Sequence, residues 1–125
     1  MTENELATIV VDIAFKIHTR LGPGLLESAY EAILIHELKR RGFSIEYQKP
    51  VPIVWDGEEL GTGFRADIIV EGKLVIELKS IEEVVPVHKK QLRTYLILTG
   101  CKLGLLINFN VALIKDGISR VVNGL

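Results

Sequence analysis

A shortage of cysteine sets the first limits on this chain. The sequence has a single cysteine, Cys101, so it can form neither an internal disulfide nor a cluster held by several thiolates. This usage fits a reducing compartment, and we expect a cytoplasmic protein. Long apolar runs are also missing, since no stretch approaches the roughly 18 residues of a membrane helix. Acidic Glu3 and Glu5 stand where a signal peptide would be basic, so we expect neither leader nor membrane association.

Charge of one sign is not in excess either. Lys and Arg number 15 against 16 Asp and Glu, which gives a formal net charge of −1. Dedicated nucleic-acid-binding domains are usually basic, because neutralising phosphates supplies much of their affinity. The balance therefore counts against tight nucleic-acid binding. It leaves a catalytic metal site open, since acidic metal ligands themselves lower the net charge.

Chain length and hydropathy describe what is present. The 125 residues allow one domain with a real core and leave no room for a second, so we treat residues 1–125 as a single domain. Hydrophobic residues make up 48% of the chain and the mean hydropathy is +0.30, which is high for a globular protein. This predicts either many buried strands or a surface covered by a homodimer or protein partner.

Three segments show the spacing of amphipathic helices. Apolar residues recur at three- and four-residue steps over residues 3–20, and Gly22-Pro23-Gly24 ends that pattern. A second helix is predicted over residues 25–41, ended by Gly42. Pro86 suits the start of a third helix, which Gly100 ends.

The remaining segments read as strands. They cover residues 44–54, 62–70, 73–78, 103–108, 111–115 and 118–122. Pro50 and Pro52 predict an edge or irregular strand for the first, and Asp56-Gly57 is a hairpin signal. The order of elements predicts an α/β fold, a mixed β-sheet flanked by helices.

The segment Val75-Ile76-Glu77-Leu78-Lys79 is the most informative for chemistry. Its apolar residues predict a buried strand, and Glu77 and Lys79, two residues apart, lie on one face. Buried charges are costly unless they are paired or bind a metal. The alternative is a Glu–Lys pair on a solvated face of the sheet.

Asp67 favours a metal site over that alternative. A tight turn at Glu71-Gly72 would bring Asp67 opposite Glu77. Two adjacent carboxylates repel and raise one another's pKa, and a divalent cation removes the conflict. Mg²⁺ accepts a few carboxylate oxygens together with waters and a phosphate. Lys79 beside it could orient or deprotonate a water, or stabilise charge at phosphorus.

A resemblance now makes this expectation specific. Asp67 and Glu77-Leu78-Lys79 resemble the D…(D/E)xK pattern of the PD-(D/E)xK nuclease superfamily, with Ala66 in place of the usual proline. Two further stretches resemble motifs of its RecB-like branch: Gly24 to Glu27 resembles GxxE, and Gln91 to Tyr95 resembles QxxxY. The stretch from Gly24 to Tyr30 also resembles the GxxExxY family of that superfamily. The similarity extends over about residues 21–123.

The resemblance implies a restriction-endonuclease-like core and hydrolysis of DNA or RNA phosphodiesters that depends on Mg²⁺ or Mn²⁺. The metal ligands it implies are Glu27, Asp67, Glu77 and the backbone carbonyl of Leu78, and Lys79 would assist the water. Gln91 and Tyr95 would position the substrate, and His88 joins their helix face.

Local alternatives remain for the flanking residues. Glu27 could complement the helix dipole, and Tyr95 could be a core aromatic. Tyr30 is expected to pack on the core, and His88 could belong to a solvated basic turn.

Two other functions also stay open. One is a catalytically silent module of the same fold that binds nucleic acid or a protein partner, which the near-neutral charge favours. The other is a symmetric dimer in which the motif residues form only a buried polar network.

Overall fold

The computed structural model describes residues 1–125 and contains three helices packed on one sheet. The helices are α1 (Glu3–Leu21), α2 (Glu27–Arg40) and α3 (Pro86–Thr99). The strands are β1 (Ile45–Trp55), β2 (Glu58–Val70), β3 (Leu74–Lys79), β4 (Leu103–Asn108) and β5 (Ile118–Val122), and a 3-10 helix spans Ile114–Gly117. None of the helices combines the length and apolarity needed to cross a bilayer.

The sheet is mixed, as predicted. Its strand order is β1-β2-β3-β4-β5, and only the β3–β4 pair is parallel. Helix α3 is the crossover between those parallel strands, since a parallel pair needs a long connection. Strand β1 lies at an edge of the sheet, which confirms the expectation from its two prolines. The α/β class and the helix-flanked sheet are therefore confirmed.

Helices cover both faces of the sheet. On one face, the apolar sides of α1 and α2 pack against alternate residues of the central strands, including Leu74, Ile76 and Leu78. On the other face, Leu92 and Leu96 of α3 pack against Val75 and Leu106. Both faces of β3 are thus buried, which explains its nearly continuous apolar sequence.

One predicted strand is wrong. Residues 111–113 form a bend, and residues 114 and 115 begin the 3-10 helix. Two contacts hold this segment against the body of the protein. His18 in α1 bonds the carbonyl of Val111 at 2.9 Å, and the backbone at Gly117 lies so close to Asn108 that a Cβ would clash. Ile114 still reaches the core, so its hydrophobicity reflects burial in the 3-10 helix and not in a strand.

Strands β1 and β2 extend beyond the sheet as a two-stranded arm. The β2–β3 ladder has only three residue pairs, whereas β1 and β2 stay paired as far as Trp55 and Glu58. Three apolar side chains at the end of this arm are exposed: Val54, Trp55 and Leu60. Trp55, beside the turn that joins the two strands, does not pack in a core, because 68% of its surface is accessible.

Candidate active site

The turn between β2 and β3 sets the register of the candidate site. Glu71 and Gly72 both have positive φ values, 53° and 64°, as a tight hairpin turn requires. The paired residues that follow are Val70 with Leu74, Ile69 with Val75, and Ile68 with Ile76. Extending that register by one residue places Asp67 across from Glu77, as the sequence predicted.

The backbone pairing of β2 with β3 ends at Ile68 and Ile76, and beyond it hydrogen bonds from side chains to the backbone connect the two strands. Asp67 Oδ2 accepts a hydrogen bond from the Leu78 N–H at 2.9 Å. The Asp67 N–H donates in turn to Glu77 Oε1 at a longer 3.4 Å. Each carboxyl group thus contacts the backbone of the other strand. This reciprocal arrangement brings both acids to the opening between β2 and β3.

Glu77 is a buried acid with an unusual pKa. Its side chain is only 7% exposed, and burial, followed by the charge of Asp67, raises its pKa to about 9. Lys79 opposes the shift through its charge, but it forms no ion pair with Glu77, since the three ion pairs of the protein lie elsewhere. The alternative of a Glu–Lys pair on a solvated face is therefore wrong.

Helix α2 brings Glu27 close enough to Asp67 and Lys79 for their charges to act on it. Glu27 is half-buried, and burial and the charge of Asp67 raise its pKa while Lys79 lowers it. Its position follows from Tyr30, whose hydroxyl donates to the Gly22 carbonyl at 2.7 Å and accepts from the Leu25 N–H at 3.2 Å.

Other contacts fix the same loop against the sheet. The Tyr30 ring is fully buried and stacks on Phe109 with ring centroids 4.2 Å apart, which confirms its expected core role. The Ser80 hydroxyl donates to the Leu25 carbonyl at 2.8 Å. The loop before Glu27 is thus tied to the segment that follows Lys79.

Helix α3 contributes Tyr95 from the other side. Its ring stacks on Phe64 at 3.8 Å, and its pKa is raised by burial and then by the charges of Glu77 and Asp67. Tyr95 is therefore both a packed aromatic ring and a neighbour of the acid pair. Gln91, one turn earlier, is exposed and makes no hydrogen bond within the protein.

His88 makes a hydrogen bond at the start of α3. Its Nδ1 accepts a hydrogen bond from the Val85 N–H at 3.1 Å and so satisfies a free donor where α3 begins. The imidazole thus has a local structural contact at the start of α3.

Asn108 fixes the chain where it leaves β3. It ends β4 beside Lys79 in the parallel register and is 2% exposed. Its Oδ1 accepts from the N–H groups of Ile81 and Asn110, both at 3.2 Å, and its Nδ2 donates to the Ile81 carbonyl at 3.0 Å. All of its contacts are made within the protein, so Asn108 supports the exit of β3 and is not free to bind a ligand.

Sequence reasoning missed two residues at this opening. Glu31 lies one helical turn after Glu27, and its pKa is raised by burial and by Asp67. Gln48 of β1 donates from Nε2 to Glu31 and to Asp67. The four-residue spacing from Glu27 was a usable signal for Glu31. Nothing local marks Gln48, because its contacts depend on how β1 pairs with β2.

The donor set fits a hard divalent cation in its chemistry. All the candidate ligands are oxygens, which Mg²⁺ and Mn²⁺ prefer. The raised pKa of Glu77 beside Asp67 is the conflict that such a cation would relieve. No three His, Cys, Asp or Glu side chains lie close enough together to hold an ion as they stand. Asp67 and Glu77 are therefore the centre of the set, and Glu27 and Glu31 flank it.

Comparison with known proteins assigns the fold to a family. The model of the PD-(D/E)XK nuclease superfamily matches residues 4–121, nearly the whole chain. No curated protein and no solved structure gave a significant match. The matched range contains α1 except for its first residue, α2, α3, the strands β1 to β4 and every candidate site residue. On this evidence of sequence and architecture together, the chain belongs to the PD-(D/E)XK nuclease superfamily.

Proposed function

We propose that the protein is a metal-dependent nuclease that hydrolyses phosphodiester bonds in DNA or RNA. The observation that carries the proposal is the buried carboxyl of Glu77, held beside Asp67 with no cationic side chain paired to it. A buried acid pair of this kind is costly for the fold alone. It becomes useful when a divalent cation and a phosphate enter the same opening.

Each residue of the proposed site has a defined role. Asp67, Glu77 and the Leu78 carbonyl would hold Mg²⁺ or Mn²⁺, and Glu27 would add a carboxylate from α2. A bound divalent cation supplies Lewis acidity, lowers the pKa of a bound water and offsets charge on the phosphate. Lys79, half-buried at the end of β3, would orient the attacking water or stabilise charge at phosphorus.

Residues of α3 would contact the substrate. Tyr95 is near the acid pair, and its neutral hydroxyl can donate to a phosphate oxygen. Gln91 is exposed one turn away and is free to donate from its amide. His88 uses only Nδ1 to accept the Val85 N–H, so its Nε2–H is the group that would donate to a phosphate, from the first turn of the helix. We therefore rank these substrate contacts in the order Tyr95, Gln91, His88.

We propose further that the chain belongs to the GxxExxY branch, as one domain over residues 1–125 that acts in the cytoplasm. The contacts of Tyr30 support this proposal, because they explain why a tyrosine is needed at the last position of the GxxExxY motif. Its hydroxyl closes the loop that carries Gly24 and positions Glu27.

Cleavage assays test the proposal. Single-stranded, duplex and branched DNA, and RNA, are incubated with Mg²⁺ or Mn²⁺ and with wild type, Lys79→Met or Lys102→Met. Lys102 is an exposed lysine outside the site and serves as the matched control. We expect cleavage of at least one substrate by wild type and by Lys102→Met, and none by Lys79→Met despite unchanged metal affinity. Cleavage retained in Lys79→Met would contradict the role of Lys79.

The second candidate is a silent nuclease-fold module, and the arm formed by β1 and β2 favours it. Val54, Trp55 and Leu60 expose apolar surface at the end of this arm, where the nuclease proposal assigns no role. Such a module would bind a protein partner or nucleic acid without cleavage. Salt separates the two, because nucleic-acid affinity falls steeply with salt and an apolar contact does not. Substitution of Trp55→Ser would weaken the apolar contact alone.

A further inference from the structure

Gln48 has a backbone conformation that the neighbouring residues in the sequence do not explain. Its φ is +49°, in the left-handed region that non-glycine residues seldom adopt. Asp56 and Glu71, the two other non-glycine residues with positive φ, each precede a glycine in a tight turn. Gln48 instead lies inside β1, between residues that pair normally with Ile68 and Ala66. Strain of this kind persists only where the surrounding contacts hold it.

The side chain of Gln48 makes those contacts. Its Nε2 donates to Glu31 Oε1 at 3.1 Å, to Glu31 Oε2 at 3.0 Å and to Asp67 Oδ1 at 3.3 Å. The other oxygen of Asp67 accepts from the Leu78 N–H. The Asp67 carboxylate is therefore held between the backbone of β3 on one side and the Gln48 amide on the other.

A groove opens at this place between α2 and β1. Its lining includes Glu27, Glu31, Tyr47 and Gln48, and its volume is about 710 Å³. The amide of Gln48 bonds both the Glu31 carboxylate and the Asp67 carboxylate, so it lies between like charges that would otherwise repel. It has no charge of its own and so does not compete with the acids for a cation.

We propose that Gln48 is a positioning residue that acts through Asp67 and fixes the orientation of its carboxylate for metal binding, with Glu31 as the anchor of its amide. The inference rests on the proposed metal-dependent function, but it concerns a residue outside the motif set. The left-handed backbone at Gln48 turns the amide towards Asp67, and the strain is the cost of that orientation. Groups that orient metal ligands commonly change metal affinity about 10–100-fold when removed.

A purely structural role for Gln48 predicts a different pattern. If the amide only tied β1 to α2, its loss would lower the thermal stability and leave Asp67 as it was. In the positioning role, Gln48→Gly removes both the amide and the backbone strain. The midpoint of thermal unfolding then stays constant or rises, while the order of Asp67 is lost. In the positioning role, the order of the Asp67 carboxylate is therefore lost without a fall in the midpoint of thermal unfolding.

The experiment compares Gln48→Gly with Gln48→Asn and with Asp56→Gly. Asn tolerates the left-handed region and keeps an amide, whereas Asp56→Gly relieves the same strain in a turn far along the arm. The first readout needs no metal. It is the hydrogen-exchange rate of the Leu78 N–H, which donates to the Asp67 carboxylate, compared with that of the Val75 N–H, where β3 is paired with a strand on each side. The second is the Kd for Mn²⁺.

We expect Gln48→Gly to speed Leu78 exchange at least about tenfold over Val75 and to weaken Mn²⁺ binding about tenfold, without a lower unfolding midpoint. Gln48→Asn should recover part of both effects, and Asp56→Gly should change neither. Unchanged Leu78 exchange in Gln48→Gly, or a lower midpoint with an unchanged Kd, would overturn the positioning role. Absence of Mn²⁺ binding by wild type would instead overturn the proposed function, and the exchange data would still decide the role of Gln48.

Discussion

The two halves of β3 differ in what borders them. Leu74 to Ile76 pair with β2 on one side and β4 on the other, and all three side chains are fully buried. Glu77 to Lys79 keep only the β4 partner, and on the other side the carboxylate of Asp67 takes the place of a strand. The first half stabilises the fold. The second gives up ladder hydrogen bonds and buries an acid, a loss of stability that the proposed metal site would explain.

The largest expected effect is at the open half. Asp67→Asn keeps an oxygen that can accept from the Leu78 N–H but removes the negative charge from the pair. We expect metal binding to be lost and cleavage to fall about 1,000-fold, equivalent to about 4 kcal/mol of transition-state stabilisation. Titration calorimetry and single-turnover cleavage measure the two losses. Wild-type cleavage rates in a folded Asp67→Asn would remove Asp67 from the site.

The closed half should respond in stability instead. Ile76 is fully buried one residue before Glu77, and Ile76→Ala leaves a cavity in the larger core cluster. We expect the free energy of unfolding to fall by about 2–5 kcal/mol, measured by urea denaturation. The Kd for Mn²⁺ of the remaining folded protein should not change. A large loss of metal affinity in Ile76→Ala would mean that the two halves are not independent.

Glu77→Gln tests whether the buried acid lowers the stability of the second half of β3, because the substitution should stabilise the protein. Burial and Asp67 raise the folded-state pKa of Glu77 to about 9. The unfolded value is about 4.3. The folded state therefore holds a proton that the unfolded state loses, and stability declines as the pH rises from about 4.3 towards 9. Gln removes this decline, so at pH 8 without metal the variant should be more stable than wild type, by up to about 5 kcal/mol.

The matching control compares Glu77→Gln with wild type across pH 5 to 9 in urea. The gap between the two should widen steadily with pH and nearly vanish at the acid end. A gap that is constant with pH would show that Glu77 ionises normally in the folded protein.

The smallest expected effect is at Tyr95. Tyr95→Phe keeps the ring stacked on Phe64 and removes only the hydroxyl. If that hydroxyl contacts a substrate phosphate, the loss is about one hydrogen bond, or roughly 1 kcal/mol and a severalfold higher KM. Stability should be unchanged. Steady-state kinetics on the best substrate decides this, and an unchanged kcat/KM would leave Tyr95 as a packing residue.

Much of this comparison could be anticipated from local sequence. The hairpin signal at Glu71-Gly72 fixes a register over a few residues, so the proximity of Asp67 and Glu77 followed from the chain alone. Helix α3 was bounded correctly by Pro86 and Gly100 for the same reason, because caps are local.

What failed depends on distant contacts. Residues 111–115 have the apolar composition of a strand, but His18 binds the Val111 carbonyl from α1, 93 residues away in sequence. Gln48 reaches Asp67 only once β1 and β2 are paired and α2 is packed beside them. The burial that shifts the pKa of Glu77 is likewise a property of the assembled sheet. Hydrophobic patterns and residue propensities describe neighbours along the chain, so they do not predict these long-range contacts.

We propose that Asp67 and Glu77 form a metal site in which the buried acid of Glu77 releases its proton to solvent when the cation binds. The most direct test is calorimetric titration of Mn²⁺ at pH 7 into wild type and Glu77→Gln, repeated in two buffers of different ionisation enthalpy. Because the pKa of Glu77 is about 9, its carboxyl carries a proton at pH 7. We therefore expect wild type to bind Mn²⁺ and release about one proton per ion, and Glu77→Gln not to bind. Binding of equal affinity to both proteins, or binding by wild type without proton release, would contradict it.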